Sequence, residues 1–96
     1  MLITKNLQEN DVVSMKLSSG EEIIGRYQRE DDNSIFVTKP VVLIMNNQGI
    51  SMAPYMFTVN PDADYCFNKK NVTTQAATDA EISKQYLTQT SGIAMR

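Results

Sequence analysis

The residues whose types and spacing are best suited to chemistry are Asn68, Lys69, Lys70 and Asn71. Two adjacent lysines in a turn meet phosphate oxygens through their ammonium groups, and repetition of the chain multiplies that attraction. The amides of Asn68 and Asn71 suit base edges, and Tyr65 or Phe67 offers a face on which a base stacks. Such chemistry recognises RNA or single-stranded nucleic acid. The competing account of the same residues is a solvated turn whose lysines keep the protein in solution.

Catalysis has less to work with. The chain has no histidine and one cysteine, Cys66. That removes the usual general base, the Ser–His and Cys–His pairs and most transition-metal sites. Cys66 has no partner for an intramolecular disulfide and is expected to pack beside the last strands. Glu21-Glu22 and Glu30-Asp31-Asp32 cluster carboxylates along the chain, but neighbours in a strand point to opposite faces. Asp31 and Asp32 suit a turn better, and nearby Arg26 and Arg29 are expected to form surface ion pairs. The expectation is a protein that is not an enzyme, with no cofactor and no metal.

These residues need a frame, and the chain supplies a sheet. From Val12 the apolar period is two, with Val13, Met15 and Leu17 on one face. Ser18-Ser19-Gly20 turns the chain, and Glu21 to Glu30 alternates again, with Ile23, Gly25 and Tyr27 on one face and Ile24, Arg26 and Gln28 on the other. Gly25 inside a strand marks a sharp bend or a close crossing. Asp31 to Ser34 turns; Ile35 to Met45 is apolar on both faces, with a kink at Pro40. Asn46 to Gly49 is a hairpin turn. Ile50 to Val59 follows, with an edge or bend at Pro54, then Tyr65 to Asn68 and Val72 to Gln75. Met52 to Phe57 reads as core on one side and subunit contact on the other. Thr78 with Glu81 fits a capping box, and a helix from about Asp79 to Thr88 brings Ile82, Tyr86 and Leu87 together. Too short to persist alone, that helix must dock. Leu2, Ile3 and Leu7 suit the edge of a core, and the tail from Ser91 is expected to fray.

At 96 residues and 42 % hydrophobic, the chain suffices for one domain. Its net charge of −2 argues against nucleic-acid binding over the whole surface but leaves room for a local basic patch. Six methionines read as adaptable core filler. The start has no basic region leading into a long apolar run, and Val41 to Met45 falls far short of the roughly 20 residues that span a bilayer. A cytoplasmic protein without membrane contact is expected.

Val13-x-Met15-x-Leu17-x-x-Gly20-x-x-Ile23-x-Gly25, followed by Asp31, resembles the first signature of the Sm-like proteins. Ser34 and Ile35 stand where that family has a methionine–asparagine pair. Phe67-Asn68-Lys69-Lys70 stands where it has isoleucine–arginine–glycine–asparagine. Such divergence is similar to that of small members from phages or uncharacterised microbes. The resemblance implies an all-β fold, a strongly bent five-stranded Sm-like (SH3-like) barrel over residues 1–76; the C-terminal helix and tail over residues 77–96 come from the sequence pattern, since that family's helix precedes its barrel. It also implies a homo-oligomeric ring joined through edge strands, and it adds Asp31 to the nucleic-acid site. The expected function is therefore a ring that binds RNA through Asn68, Lys69, Lys70 and Asn71. The alternative is a structural or assembly module that binds protein partners.

Overall fold

The computed structural model describes residues 7–91. Leu2, Ile3 and the tail beyond Ser91 lie outside them. Six strands follow in order, β1 (Val12–Leu17), β2 (Glu22–Glu30), β3 (Ser34–Asn46), β4 (Gly49–Pro54), β5 (Tyr65–Asn68) and β6 (Val72–Ala77). A 3₁₀ turn, Lys69–Asn71, joins β5 to β6, and helix α1 (Ala80–Thr90) completes the described chain.

All pairings are antiparallel. The strand order is β4-β3-β2-β1-β6, and β5 pairs with the first residues of β3. Here the expected barrel is corrected. β5 ends after four residues in the 3₁₀ turn, and β6 pairs with β1 alone, so no ladder joins β6 to β4 or β5. The sheet is open and six-stranded, and with its helix the domain is a small mixed α/β one rather than a closed five-stranded Sm-like barrel. The Sm-like identification falls with the barrel. The glycine spacing behind it marks bends and turns that any curled antiparallel sheet needs.

The two faces of the sheet carry two apolar clusters. Val13, Met15, Leu17, Ile23, Tyr27, Ile35, Val37, Tyr65 and Phe67 fill the concave side. Ile24 and Val41 lie on the other side, beneath Tyr86 of α1. The alternation read along β1 and β2 thus separates two cores, and the period-two pattern explains both.

β3 serves both clusters because its register shifts. Ile24 pairs with Val41 and Arg26 with Thr38, so β3 carries an extra residue around Lys39 and Pro40. An extra residue swaps the faces of everything beyond it. Ile35 and Val37 therefore meet the concave core in the first half of β3, and Val42 meets it in the second. Lys39 takes the left-handed conformation there, with φ 51°. Its N–H donates to the Pro61 carbonyl at 2.8 Å, and its ammonium pairs with Asp62. Opposite the bulge, a Cβ on Gly25 would lie 3.1 Å from Val37 Cβ, the close crossing that a mid-strand glycine signals.

α1 starts one residue later than the capping box suggests. Asp79 is the cap, its Oδ2 accepting from the N–H groups of Glu81 and Ile82. The Thr78 hydroxyl instead meets Ser14 Oγ of β1 at 2.7 Å. Ile82, Tyr86 and Leu87 share the buried stripe, as their spacing predicts.

Candidate functional site

The gap in the ladder is bridged by side chains, and this is where the sequence-derived residues lie. Lys69 Nζ donates to Glu30 Oε2 at 2.7 Å, and Gln75 Nε2 of β6 reaches Glu30 Oε1 at 3.4 Å. The Lys69 hydrogen bond, aided by those from Tyr27 and Gln75, holds the Glu30 carboxyl below its usual range against the opposing effect of burial. The Lys69 N–H also donates to the Asn33 carbonyl at 2.8 Å. Lys69 therefore acts as a clasp between the β2–β3 turn and the start of β6.

The remaining residues are also engaged in local geometry. Asp31 Oδ1 accepts from the N–H groups of Asn33 at 2.9 Å and Ser34 at 2.8 Å, which holds its carboxyl below the usual carboxylate range and fixes the turn. Asn68 Oδ1 accepts from the Lys70 N–H at 2.9 Å and caps the 3₁₀ turn. The Asn71 carbonyl accepts from the Ser18 N–H at 2.8 Å. Lys70 is exposed. Asn68 and Asn71 share a shallow hollow with Phe67 and Tyr55, whose rings stand 5.3 Å apart, while Lys69 lines a different hollow beside Val72 to Gln75. The structure thus splits the expected nucleic-acid set between two sides of the turn.

The RNA-binding ring is corrected on these grounds. Its lysines were to repeat around a pore, and the open sheet supplies no barrel to build that ring. The ring-based assembly module falls for the same reason. Other expectations also shift. Arg29 lies over the Phe36 ring, 3.7 Å from its centroid. Arg26 is half-buried, and its Nε has no hydrogen-bond partner among the described residues. The ion pairs found among those residues are Lys39–Asp62 and Lys69–Glu30. Cys66 is exposed and free rather than packed.

The clasp makes a pH-dependent contribution. Glu30 is stabilised as the carboxylate, so its contribution is complete above the ordinary carboxylate range and is lost as pH falls through its lowered value. Lys69→Ala is expected to destabilise the protein by about 0.5–1 kcal/mol near neutrality, an amount set by a partly exposed pair. As pH falls through the lowered Glu30 value the variant and the native chain should converge, since the carboxylate is then protonated in both. Urea titrations at several pH values measure this; a constant difference across the range would show that the ammonium does not act through Glu30.

The surface that sequence reasoning missed lies at the other end of the sheet. From Val41 to Pro61 the chain carries no charged residue, although charged residues make up 21 % of the whole. This run forms the second half of β3, all of β4 and the loop beyond. It holds every large apolar side chain found exposed among the described residues: Ile44, Met45, Ile50, Met56 and Phe57. Met45 is 76 % exposed and Phe57 83 %. Of the methionines, Met15 is core, whereas Met45 and Met56 face solvent, so the core-filler expectation holds for Met15 alone of these three. The absence of charge is visible in the sequence, and Met52 to Phe57 reads as subunit contact on one side, but the strand pattern from Val41 to Ile50 gives no hint that Ile44, Met45 and Ile50 are exposed.

No protein-family model and no curated protein matches this chain. Among the described residues there is no group of three or more histidine, cysteine, aspartate or glutamate side chains able to hold a metal. No helix among those residues is long and apolar enough to cross a membrane.

Proposed function

We propose that the protein is a non-enzymatic interaction module that pairs with a second copy of itself along β4. The exposed, uncharged β3–β4 hairpin carries this proposal. Edge strands in folded proteins are usually blunted by charge, a bulge or a covering element. β4 (GISMAP) has no charge, pairs with β3 residue for residue without a bulge, and ends the strand order. β6, at the other end, is drawn toward the rest of the sheet by Gln75 and Glu30.

A strand pairing antiparallel with its own copy makes a two-fold contact in which both chains offer the same patch. The uncharged run allows two copies of net charge −2 to approach with no like charges at the contact. Met45 and Ile50 add apolar area beside the backbone hydrogen bonds. The lack of histidine supports a role without catalysis. A cytoplasmic setting is part of the same proposal, supported by the exposed lone thiol of Cys66.

Multi-angle light scattering across the micromolar range tests the proposal. The native chain should shift from monomer to dimer mass. The double variant Met45→Lys/Ile50→Lys should weaken association by about 10-fold or more, because its lysines face their copies. Both changes are at exposed positions, so a cooperative melt should persist. A native chain that stays monomeric at the highest concentration would sink the idea.

A further inference from the structure

Between α1 and the hairpin, on the face of the sheet opposite the concave core, lies a groove of about 430 Å³. Its floor is Ile24 and Leu43, and its walls are Met45 and Ile50 on one side and Ile82 on the other. Glu22 and Asp79 are the charged residues that line it. Neither takes an ion pair among the described residues. Asp79 is held in place through Oδ2 by the first turn of α1, while Oδ1 makes no hydrogen bond among those residues. Lys16 stands opposite Glu22 in the ladder, without an ion pair to it.

We infer that this groove docks a segment of another protein that presents aliphatic side chains flanked by lysine or arginine. The inference rests on reading the protein as an interaction module, but it concerns a sheet face rather than the β4 edge. Its volume lies within the range of formed pockets, and methionine walls adapt to varied aliphatic shapes. Carboxylates at the rim of an apolar groove select a cation next to the apolar anchor. The described residues of a second copy do not supply that pattern. Their exposed large apolar side chains all belong to the uncharged run from Val41 to Pro61, so they bring no cation to Glu22 or Asp79.

Fluorescence anisotropy with a labelled Gly-Ser-Lys-Leu-Leu-Lys-Gly-Ser peptide at low salt tests this. Two control peptides replace the lysines with glutamate or the leucines with serine. The first peptide should bind and both controls should fail. The double variant Glu22→Gln/Asp79→Asn should weaken binding by about 5-fold, as expected for two exposed ion pairs. Asparagine caps a helix about as well as aspartate, so the fold is retained. Methyl NMR should place the bound peptide at Ile82 and Met45. Failure of the lysine peptide to bind, equal binding of the glutamate peptide, an unchanged affinity in the double variant, or shifts confined to another surface would each overturn the proposal. Light scattering keeps the two ideas apart: self-association should persist in the double variant while peptide binding weakens, and a native chain that binds the lysine peptide yet stays monomeric would count against the β4 contact alone.

Discussion

Tyr86→Ala is expected to lower the unfolding free energy by about 3–5 kcal/mol, the usual cost of removing a buried aromatic ring. Tyr86 is fully buried and is the largest side chain sealed from solvent among the described residues. It is the one fully buried residue of α1, and it sits on Ile24 and Val41. Its hydroxyl donates to the Lys39 carbonyl at 2.7 Å, at the point where β3 bulges. Burial pushes the phenol well above its ordinary range, so it remains a donor throughout the working pH range. Alanine removes both the ring and the donor. Tyr86→Phe removes the donor alone and should cost about 1–2 kcal/mol, because the carbonyl is left without its partner. Urea denaturation followed by circular dichroism measures both. An alanine variant no weaker than the phenylalanine variant would show that the ring does not hold the helix.

The second large effect is at Gly25. Gly25→Val is expected to cost about 2–3 kcal/mol or more, as overpacking does in a close-packed core. Even the first added carbon lies 3.1 Å from Val37 Cβ and Cγ2 and 3.4 Å from the Thr38 carbonyl. Neither Val37 Cβ nor the backbone can swing away as the tip of a long side chain does. Gly25→Ala should cost less, and Val37→Ala in that background should recover part of the loss. The cycle of single and double variants isolates the clash, since contacting positions couple and distant ones add. Simple additivity would place the strain elsewhere.

Both predictions rest on features that the sequence showed unevenly. The alternation of Val13, Met15 and Leu17 and the glycine at position 25 placed the strands and their crossing correctly, because burial on one face imposes period two. The spacing of Ile82, Tyr86 and Leu87 announced a docked helix. Closure of the sheet was not readable, since it depends on whether β6 finds a backbone partner beyond β1, and no local pattern encodes that. The strand read from Ile50 to Val59 stops at Pro54, which lacks the donor that a ladder requires. Among the site residues, Lys69 looked free for phosphate because Glu30 is distant in sequence, and the curl of the sheet brings them together. Asp31 was readable as a turn former and the structure uses it in that way, whereas Asn68 reads as a strand end and a base contact but caps the 3₁₀ turn. The β3 half of the apolar hairpin went unrecognised as a surface because a run such as VVLIM looks the same in a core strand as on an exposed one.

The pairing of β1 with β6 also sets the order in which the molecule can form. β1 to β4 are joined by short turns and assemble from near neighbours, whereas Val13 must meet Ala77 and Leu17 must meet Val72 across most of the chain. Closing so long a loop costs entropy before any contact returns it, so β6 should join last. Until then β1 is a second open edge, and the concave cluster lacks the cover that Val72 of β6 gives it. For that interval the chain is most exposed to aggregation, and it is then that a chaperone would have the most surface to hold.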